Sequence, residues 1–156
     1  MNGILQAVQE QEITLPSNTA SVPFSVVDIR TRSAINCQGW MNHNEGSAIF
    51  SVLEGGGYEV DYNANVTSAT AGVVALALFA DGVQVPGTEM DAVIATAGDF
   101  VNVSFSKSIR TCCKGTVNLS INSVPSVVYS GGATPEITET QVPIIKNANI
   151  SVDRIS

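Results

Sequence analysis

Apolar and polar residues alternate with period two along most of this 156-residue chain. In residues 57–67, Tyr58, Val60, Tyr62, Ala64 and Val66 share one face, and Glu59, Asp61, Asn63, Asn65 and Thr67 share the other. Successive side chains of a pleated strand point to opposite faces, so the segment reads as a long half-buried strand. The same alternation predicts strands over 100–106, with Val101, Val103 and Phe105 inward, over 116–122, with Val117, Leu119 and Ile121 inward, and over 148–152, with Ala148, Ile150 and Val152 inward. Residues 22–29 and 48–53 are expected to add two more. Turn signals separate the runs: Glu54-Gly55-Gly56-Gly57, residues 68–72, Asp81-Gly82, Pro86-Gly87, Gly98-Asp99 and Gly131-Gly132. No stripe of period 3.6 competes outside the first dozen residues, which are too few to decide. Residues 31–46 and 130–143 read as loops, the second exposed. Short strands punctuated by regular turns predict an all-β sandwich or barrel.

Residues 72–80, GVVALALFA, break the alternation. Val73, Ala75, Ala77 and Phe79 point one way, and Val74, Leu76, Leu78 and Ala80 the other, so both faces are apolar. Nine residues between Gly72 and Asp81-Gly82 are short for a helix and ordinary for a strand. A strand buried on both faces needs a second covering layer, and the chain offers no helix to supply one. The expected cover is another copy of the chain, which makes the protein a homo-oligomer with an interface built partly on Val74, Leu76, Leu78 and Phe79.

Composition narrows the functional classes. Charged residues make up 13% of the chain, against about 25% in an ordinary soluble domain, while 44% are hydrophobic. Asn, Ser, Thr and Gly take the place of charge. Disorder requires the reverse balance. A net charge of -7 opposes binding to phosphate, so no nucleic-acid partner is expected. The N-terminus has no basic start followed by an apolar run, and no stretch approaches the ~18–20 apolar residues of a membrane span, so neither a signal peptide nor a membrane partner is expected.

Candidate chemistry is sparse. Cys37, Cys112 and Cys113 are odd in number and lack Cys-x-x-Cys spacing, and the single histidine, His43, stands apart from them, so neither a disulfide framework nor a metal site is expected. His43 has no Gly-x-Ser-x-Gly partner motif and reads as a polar surface residue. Glu59 and Asp61 share the solvent face of one strand, where acids serve solubility. Asp81, Asp99, Glu89 and Asp91 lack the spacing of a calcium loop and are explained by turn chemistry. The Asn-x-Ser/Thr triplets at Asn65, Asn102, Asn118 and Asn149 all fall inside predicted strands and read as outward polar positions. Trp40 and the tyrosines could line a sugar-binding surface, although core or interface packing explains them better. No catalytic residue and no cofactor is assigned.

The order of the runs 57–62 (GYEVDY), 74–88 (VALALFADGVQVPGT), 97–101 (AGDFV) and 147–152 (NANISV) resembles the trimeric jelly-roll domains related to the complement globular head and tumour necrosis factor. It is most similar to the C-terminal domains of spore-surface collagen-like glycoproteins and to modules of phage virion proteins. The resemblance covers roughly residues 47–155, without a collagen-like repeat and with residues 130–143 interrupting the approach to the last strand. It implies a homotrimeric two-sheet jelly-roll sandwich that attaches to something larger and displays a surface without catalysis. The expected division is an attachment segment over 1–20, contacting a capsid or other virion protein through Ile4, Leu5 and Val8, followed by the jelly roll over 21–156. The expected role is a phage head fibre or capsid decoration protein, made in the host cytoplasm and carried on the virion surface. A receptor- or carbohydrate-binding module that recognises a host-surface glycan is the alternative.

Overall fold

The computed structural model describes residues 3–30, 40–112 and 116–155 and is built from antiparallel strands. One sheet runs in the order β10 (Val101–Thr111), β6 (Gly56–Thr67), β14 (Ile144–Arg154), β1 (Ile4–Gln9), β3 (Val26–Arg30), with β2 (Ile13–Thr14) against β14. The second runs β4 (Met41–Asn42), β5 (Phe50–Val52), β11 (Val117–Ser123), β7 (Gly72–Ala80), β8 (Val83–Gln84), with β9 (Met90–Ile94) also on β7. A separate two-stranded pair joins β12 (Ser126–Tyr129) to β13 (Glu136–Glu139). The all-β two-sheet sandwich expected from the alternating pattern is present.

Period two decides which residues fill the space between the sheets. Tyr58, Val60, Tyr62, Ala64 and Val66 of β6 are all buried, as are Leu119 and Ile121 of β11 and Ala148, Ile150 and Val152 of β14. Phe24 stands edge-on to Phe50 at 5.4 Å and to Tyr62 at 6.3 Å between ring centres, the offset geometry that aromatic quadrupoles favour. The connection from β7 to β8 is the two-residue turn Asp81-Gly82, with φ of 50° and 80°. Positive φ at both positions gives the primed turn whose twist matches a hairpin, and this is why an Asp-Gly pair stands there.

Three expectations are corrected. The first is the boundary that set an attachment segment over 1–20 apart from a jelly roll over 21–156. Residues Ile4–Gln9 lie inside the first sheet between β14 and β3, with Leu5 opposite Val152 and Ala7 opposite Ile150. Leu5 and Ala7 belong to the core, and Leu15 joins them. Burial alternates along the strand, with Leu5, Ala7 and Gln9 inward and Ile4, Gln6 and Val8 half-buried on the outer side, although the apolar residues themselves do not alternate. The segment is also tied at its start: Arg154 N–H donates to Gly3 O at 2.6 Å. A Cβ on Gly3 would meet the Trp40 ring at 2.3 Å, so only glycine allows the indole to lie across the chain there.

The second correction concerns the cover of β7. Its outer face carries Val73, Ala75, Ala77 and Phe79, and these pack with Val124 and Val127 in a small cluster separate from the main core. The chain leaves the sheet after β11, makes the β12–β13 hairpin and returns to the same edge. Val124 N–H bonds to Ala75 O at 2.9 Å and Gln141 N–H to Val73 O at 2.8 Å. Thr140 Oγ1 donates to Val124 O at 2.6 Å and closes the base of the hairpin. Part of the expected loop over 130–143 is therefore strand β13, and this chain supplies a third layer over its own apolar strand.

The third correction is His43. Cys37 and Cys113 lie outside the described residues. His43, expected at the surface, is 3% exposed. Its ring stacks on Phe50 at 3.9 Å with 3° between planes, and Nδ1 lies 3.0 Å from Ile49 O. Burial holds its pKa below the ordinary histidine value against the opposing pull of the Ile49 and Phe24 carbonyls. It is a neutral packing residue.

Candidate interaction surface

The carboxylates do not assemble into a reaction centre. Among the described residues no group of three His, Cys, Asp or Glu side chains could hold a metal ion. Cys112 is a free, exposed thiol. Glu89 and Asp91 lie two residues apart at the start of β9; partial burial, then the neighbouring Glu89 charge, raises the Asp91 pKa to about 6. Gln84 Nε2 donates to Glu89 Oε1 at 3.3 Å, so these acids serve the end of the β7–β8 hairpin. Of the aromatics considered for sugar binding, Tyr58 and Tyr62 are buried, and Trp40 is buried and stacks on Tyr58 at 5.6 Å. Tyr129 is the one exposed tyrosine.

The strongest organised feature is the outer face of the first sheet. Because strand register is fixed, its outward residues form rows across five strands. One row runs Ser104, Asn63, Asn149, Val8, Val26; the next runs Ser106, Asp61, Ser151, Gln6, Ile29; a third runs Ser108, Glu59, Asp153, Ile4. Short neutral side chains dominate. Asn102 Nδ2 is placed 3.0 Å from Asn63 Oδ1 and 3.1 Å from Asn65 Oδ1, Ser106 Oγ donates to Glu59 Oε1 at 3.2 Å, and Ser151 Oγ donates to Asp153 Oδ1 at 3.1 Å. These bonds fix the polar part of the face and leave little side-chain freedom to lose on contact.

The β1–β3 side of the same face is apolar. Val8 faces Val26 across the strands, and Ile29 follows in the next row after a bulge in the pairing. Val26 and Ile29 are each 45% exposed. A groove of about 220 Å³ beside them is lined by Gln6, Val8, Asp28, Asn149 and Ser151 among others. No described element covers that side, in contrast to the outer face of the second sheet under its hairpin.

The residues assigned from sequence fall in different places. Val74, Leu76 and Leu78 point into the sandwich and are at most 1% exposed within a single chain, so they cannot be the surface a partner meets. Phe79 lies on the opposite face beside the β12–β13 cover. Among the residues assigned to capsid contact, Leu5 is in the core, while Ile4 and Val8 are half-buried on the outer face of the first sheet. Sequence reasoning missed Val26 and Ile29. No alternation marks them, since residues 26–29 read VVDI, and Val26 and Ile29 share a face only through the bulge opposite Gln6 and Ala7.

No family model matches this chain, and no curated protein does. Solved structures do. The globular domain of zebrafish complement 1qA superposes with a TM-score of 0.59 at 11% identity, covering 99% of this chain and 98% of that one. Murine APRIL at pH 8.0 gives 0.58 at 8% identity over 99% and 100%. Eiger TNF from S. frugiperda gives 0.58 at 8% over 100% and 94%. Likeness at such identities carries the fold: this chain is a two-sheet jelly roll of the kind found in the complement 1q head and tumour necrosis factor domains.

Proposed function

We propose that this chain is a non-enzymatic structural domain that associates as a homotrimer and is displayed on a phage virion as a head fibre or capsid decoration protein. The observation that carries the reading is the outer face of the first sheet, which no other described element covers. Asn and Ser lose less on desolvation than Lys or Glu, and the Val8, Val26 and Ile29 stripe adds apolar area beside them, the composition of a subunit contact. Three copies arranged cyclically each meet the next through this face. The resemblance to virion modules and a trimer charge of about -21, three times the chain's -7, support a displayed particle component.

Solution mass tests the assembly. At micromolar concentration the expected value is about 49 kDa, three times 16.3 kDa. The double variant Val26→Asp, Ile29→Asp is expected to run as a monomer with unchanged circular dichroism. A monomeric parent chain would remove the trimer. The virion role is tested separately by mass spectrometry of purified particles of the phage carrying the gene, and absence of the chain from those particles ends it.

A further inference from the structure

The core-facing row of β10 reads Val103, Phe105, Lys107, Ile109. Phe105 and Ile109 pack against the main core, so a lysine stands between two apolar residues on the inward side of an edge strand. Its ammonium reaches the Pro86-Gly87 turn, 3.4 Å from where a Cβ on Gly87 would stand. Here β10 separates from the β7–β8 hairpin and leaves a cleft of about 490 Å³, whose walls include Ala80, Val85, Ile109 and Val117, with Lys107 on the inward side and Arg110, from the outward row of β10, at the rim. That volume lies within the roughly 300–1,000 Å³ of small-molecule sites.

The charges at this opening are not balanced from within. The other described basic side chains each have a partner: Arg30 donates to Met41 O, Lys146 lies 4.0 Å over the Phe100 ring, and Arg154 pairs with Glu54. Lys107 and Arg110 have no ion pair among the described residues. Asp81 also lines the cleft; its Oδ1 accepts from Asn118 N–H at 2.9 Å, which leaves its charge in place, so two cations meet one carboxylate there. In a chain of net charge -7, a local excess of positive charge beside an apolar wall marks a place for an anion with an apolar body.

We propose that this cleft binds a small amphipathic carboxylate, its chain against Ala80, Val85, Ile109 and Val117 and its carboxylate on the Lys107 ammonium, with Arg110 at the rim. This does not depend on the trimer or on the virion role. The test is a methyl-detected NMR titration of the full chain with octanoate, alongside octanol and acetate as probes of body and charge alone. Octanoate is expected to shift the Val85, Ile109 and Val117 methyls saturably, and at least tenfold more tightly than either control. Lys107→Met keeps the length of the side chain without its charge; it is expected to bring octanoate down to the level of octanol while leaving octanol unchanged. Equal binding of octanoate and octanol by the parent chain, or no saturable shift at millimolar octanoate, overturns the proposal. So does a shift of the same methyls with protein concentration alone, which would give the cleft to a carboxylate of a second copy.

Discussion

Replacing Val127 with Asp should lift the β12–β13 hairpin without unfolding the sandwich. Val127 is 2% exposed and shares its cluster with Ala75, Ala77 and Val124, none of which belongs to the main core. Burying a valine side chain contributes about 1.5–3 kcal/mol. A two-stranded hairpin is at best marginal alone, so that contact is comparable to everything that holds it down beyond its base. The aspartate escapes burial by letting the hairpin open, and the cost falls on the hairpin's own closing equilibrium. At about 1.4 kcal/mol per factor of ten, amide exchange over residues 126–139 should accelerate roughly 10- to 150-fold. Peptides covering β6 and β14 should keep their protection. The Val127→Ala variant, which removes two methyl groups, should give an intermediate acceleration. Hydrogen exchange read by mass spectrometry resolves these segments. Unchanged exchange in the hairpin would show that Val127 does not hold the cover. Equal loss across β6 and β14 would show that the two apolar clusters are one cooperative unit.

Three further outcomes follow from polar groups. His43 has a folded pKa below its unfolded value near 6.5, so the unfolded chain takes up its proton first, and stability should fall as pH drops below about 6.5; His43→Gln should flatten that part of a pH series of melting temperatures. Asp91 acts in the opposite sense. Its pKa rises from 3.8 to about 6 on folding, so the native state holds the proton more tightly, and stability should decline as pH rises through that interval; Asp91→Asn should remove the decline, leaving the His43 slope exposed. Thr88 is fully buried, its hydroxyl donating to Val85 O at 2.7 Å and lying 3.1 Å from Leu78 N as an acceptor. Thr88→Val should cost about 1–3 kcal/mol in urea unfolding, and a cost below about 0.5 kcal/mol would mean that these groups find other partners.

Much of the sheet framework was legible because period two leaves few alternatives once one face must be dry. Tyr58 to Val66, Val101 to Phe105 and Val117 to Ile121 needed only their own alternation to be placed on strands. The Asp81-Gly82 turn was equally local, because positive φ at two adjacent positions is a property of those residues. The interaction surface was less legible. Val26 and Ile29 become neighbours of Val8 and Gln6 only through the β1–β3 register, and a bulge between Gln6 and Ala7 sets which of the β3 side chains face outward. His43 was misread because a single histidine carries no period; Phe50 and the Ile49 carbonyl, seven and six residues on, determine that it is buried.

The apolar strand at residues 72–80 shows the division most clearly. The sequence by itself determined that both of its faces must be covered, since no pairing of Val, Ala, Leu and Phe leaves a face suited to water. It could not determine what covers them, because burial is satisfied equally by a second chain or by a distant part of the same one. The tertiary structure decided for the same chain: residues 124–141 leave β11 and return to β7, bringing Val124 and Val127 onto Ala75 and Ala77. The physical reason is range. Alternation and turn chemistry act between adjacent residues, whereas a covering layer is chosen by contacts some fifty residues apart, which no local pattern records.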